Sequence, residues 1–214
     1  MSILMRAPKE CGSWCWDLEE VVPAGLESAL LVAARVAEVL KRFDLLDPVR
    51  IEFGWYVLGS GPTGVRSTLF TSLPLHDPAL PEKVLGSQPA AFPDSEVGDL
   101  HIGGSGTWFD TAGKGRREPG LIEFSVSTDP YGPTVTLEVH HDIWSPLDFS
   151  GRPHPDMHER NAPRLASALR EITAVLGVSA ETGDPTYFGH AVEFGIYTSE
   201  AQENGLGIDL TDRL

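Results

Sequence analysis

Hydrophobic positions along the chain repeat with two different periods, and the period separates helices from strands. Residues 23–43 carry apolar side chains at steps of three and four, which predicts a helix with one apolar face. The same spacing predicts a second helix over residues 162–176, with Asn161 as its N-cap and Gly177 just after its last turn. We therefore expect two amphipathic helices that each bury one face in a core.

Strict alternation of apolar and polar residues predicts strands in two other regions. Residues 49–58 alternate throughout, and residues 65–73 follow a glycine-rich turn as the second half of a hairpin. Residues 122–127 and 135–143 alternate on either side of the turn sequence at 129–133. This pattern is typical of antiparallel strands with one buried and one polar face.

The segments between these elements are rich in proline, glycine and acidic residues. The composition of residues 74–98 predicts a long acidic, proline-rich surface loop with a short helix over 81–85. A short strand beginning at Leu100 is expected to end at the glycine-rich sequence 103–106, which we interpret as a flexible loop. Residues 178–214 predict an acidic, irregular C-terminal segment.

The order of the elements determines the predicted fold class. A helix, several strands, a second helix and an irregular tail lack the regular alternation of strand and helix that builds a parallel sheet. We predict an α+β protein, with an antiparallel sheet and two helices packed on one face. The chain of 214 residues is long enough for one large core, so residues 1–214 are predicted to form a single domain.

Charge and cysteine content restrict the classes of partner and compartment. Asp and Glu number 31 and Lys and Arg 16, which gives a formal net charge of −15. A field of this sign repels phosphate backbones and anionic lipids, so neither nucleic acid nor a membrane is expected as partner, whereas a basic protein is attracted. The two cysteines form no disulfide framework, and no apolar stretch of signal-peptide length begins the chain. We expect a cytoplasmic protein.

Few residues carry a recognisable chemical pattern. Cys11 and Cys15 are separated by three residues, whereas thioredoxin-like redox motifs have two. In the predicted strand 135–143, His140 and Asp142 share one face, and His154 or His158 could fold back to complete a site with two histidines and a carboxylate. That spacing matches no standard zinc signature, so we assign no catalytic and no metal-binding residues and expect no cofactor.

Two short sequences in the C-terminal part resemble a known family. Residues 161–169 read Asn-Ala-Pro-Arg-Leu-Ala-Ser-Ala-Leu, and residues 183–189 read Gly-Asp-Pro-Thr-Tyr-Phe-Gly. Together they resemble the C-terminal part of actinobacterial immunity proteins of polymorphic toxin systems. The resemblance implies a small cytoplasmic α+β protein that binds and blocks a cognate toxin, and it carries no active-site residues.

We therefore predict a non-enzymatic, protein-binding protein of the immunity or antitoxin type with a basic toxin as partner. Exposed aromatic anchors and carboxylates are the side chains that such an interface needs. The residues predicted to bind the partner are Glu181, Asp184, Tyr187, Phe188, Glu193, Phe194 and Tyr197. Two alternatives stay open at this point. One is a hydrolase that uses the histidines and Asp142, and the other is a structural subunit whose exposed edge strand is 49–58. The oligomeric state stays open as well.

Overall fold

The computed structural model describes residues 4–198 and 205–214, and within them eight strands form one large antiparallel sheet. The strands are β1 (Gly12–Asp17), β2 (Asp47–Val57), β3 (Gly61–Phe70), β4 (Glu96–Phe109), β5 (Gly115–Pro119), β6 (Glu123–Val126), β7 (Thr134–Val139) and β8 (Glu181–Thr182). Their spatial order is β3-β2-β4-β6-β7-β1-β8, and β5 pairs with the second half of β4. A separate hairpin consists of β9 (His190–Val192) and β10 (Gly195–Tyr197).

Three helices accompany the sheet in the described part of the chain: α1 (Leu26–Arg42), α2 (Leu80–Leu85) and α3 (Pro155–Leu176). The long helix α1 packs against β2, β4 and β6, while α3 packs against α1 and β4. The prediction of an α+β fold with an antiparallel sheet and helices on one face is confirmed. No helix among these residues is both long and apolar enough to cross a membrane.

The core lies between the sheet and the two long helices and includes several tryptophans. Trp14, Trp16 and Trp55 are at most 1% exposed. A buried indole N–H needs an acceptor, and those of Trp16 and Trp55 donate to the hydroxyls of Thr173 and Ser67 at 3.0 and 2.9 Å. These bonds pair two of the buried indole donors, whereas the indole N–H of buried Trp144 makes no hydrogen bond among the described residues.

The other face of the sheet is polar because the strands alternate. The register aligns Glu52, His101, Ser125, Thr136, Cys15 and Glu181 in one row across six strands. All six are exposed or half-buried, whereas their sequence neighbours Ile51, Leu100 and Phe124 are buried. We refer to this row and its strand neighbours as the polar face.

The glycine-rich sequence at 103–106 is not a flexible loop, and that prediction is wrong. Strand β4 passes through it and continues to Phe109. A Cβ atom at Gly104 would collide with the carbonyl oxygen of Asp47, and one at Gly106 would collide with that of Leu45. The glycines are therefore required by close backbone approach inside a strand, not by flexibility.

The second helix begins earlier than its sequence pattern predicts. Helix α3 starts at Pro155, so Asn161 lies inside the helix and is not its N-cap. The Asn161 Oδ1 accepts the backbone N–H of Phe109 at 2.9 Å, and its Nδ2 donates to the Phe109 carbonyl at 2.8 Å. The residue therefore ties α3 to the end of β4. The predicted C-terminal stop is confirmed, because Gly177 adopts a left-handed conformation with a φ of 75°.

Three further predictions change at the level of boundaries and pairing. The predicted loop 74–98 contains the expected short helix as α2, but its last three residues belong to β4. The predicted irregular segment 178–214 contains β8, β9 and β10, while its residues 199–204 lie outside the described part. The predicted strand 49–58 corresponds to β2, which has β3 on one side and β4 on the other, so it is not an exposed edge.

Candidate functional site

The histidine-rich sequence after β7 does not have the strand geometry on which its predicted chemistry depended. Strand β7 ends at Val139, and residues 142–144 form a 3-10 turn. The Nε2 atom of His140 lies 3.5 Å from Oε2 of Glu138, whereas Oδ1 of Asp142 accepts the backbone N–H of Met5 at 3.2 Å. The side chains of His140 and Asp142 therefore contact different partners and do not lie side by side on one face of a strand.

The downstream histidines do not complete the predicted site. The Nε2–H of His154 donates to the carbonyl of Ser145 at 2.8 Å, and burial lowers the pKa of His154 and of His158. Within residues 4–198 and 205–214, the ligand atoms of Asp142, His154 and His158 do not gather in a metal-sized cluster. Among the described residues, the one cluster of that kind consists of Glu123, Glu138 and His140, which the sequence pattern did not indicate.

Asp142 and His141 are both titratable and almost completely buried. Each is 1% exposed. Burial raises the pKa of Asp142 to about 7, although the hydrogen bond from Met5 opposes the shift. Burial, with the charges of Arg6 and His140, lowers the pKa of His141 to about 4. A carboxylic acid of raised pKa is a candidate general acid, but a proton donor must reach its substrate. At 1% exposure, neither side chain is open to a substrate from the surface.

The aromatic residues predicted to bind a partner divide between two places. Tyr187, Phe188 and Tyr197 line one surface groove with a volume of about 130 Å³. Phe194 lies apart from this groove, where the guanidinium of Arg170 in α3 sits 5.2 Å from its ring. The structure therefore brings three of the four aromatic residues together and separates the fourth. We call the groove lined by Tyr187, Phe188 and Tyr197 the tyrosine groove.

The two tyrosines of the tyrosine groove are exposed but held in place. Tyr187 is 72% exposed, and the guanidinium carbon of Arg213 lies 4.3 Å from the centre of its ring. Tyr197 is 47% exposed, and its ring centre lies 5.1 Å from that of His190. Contacts on one face fix each ring while its other surface stays accessible, which is the property of an interface anchor.

Phe188 supports the tyrosine groove from below and does not present a surface of its own. It is 4% exposed, and its ring meets that of Phe149 edge to face at 5.3 Å between centres. Sequence reasoning missed the other walls of the groove, namely Leu147, Ile208 and Leu210. These residues come from segments with no shared periodicity, so no local signal could have joined them.

The three carboxylates predicted to bind a partner are all exposed. Glu181 lies in β8 at the border of the polar face, and Asp184 follows it. Glu193 occupies the turn between β9 and β10 with a φ of 51°, and its carbonyl oxygen accepts the indole N–H of Trp14. None of the three is among the described residues that line the tyrosine groove, where the acidic residue is Asp148.

Comparisons with known proteins do not assign the chain. No family model matches it, and neither a curated protein nor a solved structure does so. Its function must therefore be inferred from the chemistry and geometry of its own residues.

Proposed function

We propose that the chain is a non-enzymatic protein of the immunity or antitoxin type, which binds a basic toxin and blocks it. The observation that carries this proposal is the pair Tyr187 and Tyr197, 72% and 47% exposed on an acidic segment. Tyrosine is enriched among residues that dominate binding energy, because its large ring is buried on binding at low entropic cost. Rings already fixed by Arg213 and His190 lose less freedom when a partner covers them.

The charge of the chain supports a basic partner. The formal net charge is −15, and the exposed carboxylates of Glu181, Asp184 and Glu193 lie in the same C-terminal segment as the two tyrosines. Opposite charges accelerate association and exclude acidic competitors. A toxin that acts on nucleic acid must itself be basic to approach phosphates, which would complement this surface.

The hydrolase alternative has less support from the described residues. It requires Asp142 to meet His154 or His158 near His140, and these side chains have separate partners. The structural-subunit alternative relied on an exposed strand at 49–58, which is paired on both sides. Binding through the C-terminal segment needs neither arrangement.

The experiment uses the proteins encoded beside the gene for this chain. Each neighbouring product is tested for toxicity in a bacterial host, with and without co-expression of the chain, and its affinity is measured by biolayer interferometry. We expect one basic product to be toxic and to be neutralised. The double variant Tyr187→Ala/Tyr197→Ala should weaken its binding by about 30-fold or more, since loss of a binding hot spot costs about 2 kcal/mol or more.

Tyr131→Ala is the matched control. Tyr131 is 75% exposed but lies in the turn between β6 and β7, away from the tyrosine groove. The control variant should keep the affinity and the protection of the wild type. If no neighbouring product binds the chain, or if the control and the double variant lose affinity equally, the proposal is wrong.

A further inference from the structure

Two glutamates face each other on the polar face where charge repulsion is expected. Glu123 in β6 and Glu138 in β7 are directly opposite in the antiparallel register. Like charges in such a pair destabilise a sheet, so a stable structure needs a cation beside them. Arg6 supplies part of it, because its Nη2 donates to Oε1 of Glu123 at 2.6 Å. That contact leaves Oε2 of Glu123 and the whole carboxylate of Glu138 without a guanidinium or ammonium partner among the described residues.

His140 points into the space between these carboxylates. Its Nε2 lies 3.5 Å from Oε2 of Glu138 and 3.7 Å from Oε2 of Glu123. The residue is 8% exposed, and within the described chain neither of its ring nitrogens makes a hydrogen bond. A buried polar group without a hydrogen bond is costly and rare in folded proteins. The imidazole is thus held by burial, with Nε2 directed at two carboxylates at 3.5 and 3.7 Å and with Nδ1 unpaired among the described residues.

We infer that Glu123, Glu138 and His140 form a binding site for a divalent transition-metal ion of the zinc class. One ligand atom from each residue already lies within 4.8 Å of the other two. Tetrahedral zinc with bonds near 2.0 Å needs ligand atoms about 3.3 Å apart, and the two distances from His140 Nε2, 3.5 and 3.7 Å, are already close to this separation. The glutamate side chains are 44% and 40% exposed and can rotate toward the ion, while the buried imidazole stays in place.

The ligand types select the class of ion. Imidazole together with carboxylates suits zinc and its neighbours in the transition series, whereas calcium and magnesium prefer oxygen ligands alone. Three protein ligands leave a fourth position open to solvent, as catalytic zinc sites do. Glu123 and Glu138 also line a depression of about 250 Å³ on the polar face, together with His101. The site does not depend on the proposed toxin binding, which involves the tyrosine groove.

The test is a titration of the untagged protein with Zn²⁺ after removal of metals with a chelator. We expect one site by isothermal titration calorimetry. With Co²⁺ we expect the intense visible absorption of a four-coordinate ion. Glu138→Gln keeps the size of the side chain and should weaken Zn²⁺ binding by at least about ten-fold and abolish the Co²⁺ band. Glu138→His, which restores a ligand atom, should recover binding.

Asp99→Asn is the matched control, because Asp99 is an exposed carboxylate of β4 outside the cluster. It should bind Zn²⁺ as the wild type does, and circular dichroism should show every variant folded. If Glu138→Gln does not fold, Glu123→Gln provides the same comparison at a more exposed ligand. Equal Zn²⁺ affinity in the wild type and these variants, or no binding by the wild type, would overturn the inference. Neither result would affect the tyrosine groove.

Discussion

The indole N–H of Trp14 donates a hydrogen bond of 2.6 Å to the main-chain carbonyl of Glu193. Trp14 is a fully buried residue of β1, while Glu193 is the left-handed turn residue between β9 and β10. The bond therefore connects the central sheet to the C-terminal hairpin that carries Tyr197. The position of one exposed tyrosine depends on a donor in the core.

Trp14→Phe removes this bond and leaves space in the core. We expect the free energy of unfolding to fall by about 2 kcal/mol, from the lost hydrogen bond and the unfilled volume together. The measurement is urea unfolding followed by circular dichroism. Trp144→Phe is the control, because Trp144 is 1% exposed and its indole N–H makes no hydrogen bond among the described residues. Equal losses in the two variants would contradict the role of the bond.

Asn161→Ala should be among the most destabilising single substitutions in α3. The side chain is completely buried and bonds both the N–H and the carbonyl of Phe109. Truncation leaves these backbone groups unsatisfied, so the free energy of unfolding should fall by about 2–3 kcal/mol in urea titrations. Glu159→Ala changes an exposed residue of the same helix and should stay within about 0.5 kcal/mol of the wild type. A small effect at Asn161 would show that the helix and strand are not joined there.

Gly104→Ala tests the reason for glycine inside β4. Its Cβ would collide with the backbone of Asp47 in the paired strand, so we expect a loss of about 3 kcal/mol or failure to fold. Gly54→Ala is the control, because a Cβ at this position in β2 meets no atom within 4 Å. It should be neutral or slightly stabilising in thermal unfolding. If both variants have the same melting temperature, close approach of the neighbouring backbone is not the reason for glycine in β4.

Asp110→Asn should destabilise the protein in a pH-dependent manner. The backbone N–H of Lys114 lowers the pKa of Asp110 most, and the guanidinium of Arg116 lowers it further with two bonds at 3.0 and 2.8 Å. A lowered pKa in the folded state means that the carboxylate stabilises the fold above its ordinary value near 3.8, and that this stability is lost as pH falls through the lowered value. The wild type should therefore be more stable than the variant at pH 7, with the difference shrinking below pH 4.

Chemical unfolding at several pH values measures this difference. Asp99→Asn in β4 provides the control, since it removes an exposed carboxylate with no hydrogen bond among the described residues. A stability difference between Asp110→Asn and wild type that is independent of pH would indicate that the carboxylate charge is not what holds the turn between β4 and β5.

Local periodicity was sufficient for helix α1 and four strands of the large sheet, and it did not predict β1, β5 or β8. Helix α1 and the strand pairs β2–β3 and β6–β7 were predicted because apolar spacing and turn residues lie within each segment. The class followed from their order. The course of β4 could not be predicted from the sequence. Its glycines are needed because the carbonyls of Leu45 and Asp47 lie against them, and these groups come together only when the chain folds. The start of α3 was missed for a similar reason, since Asn161 bonds a distant strand.

The sequence by itself determined the alternation of apolar and polar residues, the excess of carboxylates and the presence of aromatic residues in the C-terminal segment. These properties depend only on which residues are present and on their order along the chain. Only the tertiary structure decided which of them meet. The register of β6 and β7 places Glu123 opposite Glu138 and brings His140 beside them, while the folding of the C-terminal segment joins Tyr187 and Tyr197 and buries Phe188. Such contacts depend on strand register and on packing between remote segments, and neither is encoded in local spacing.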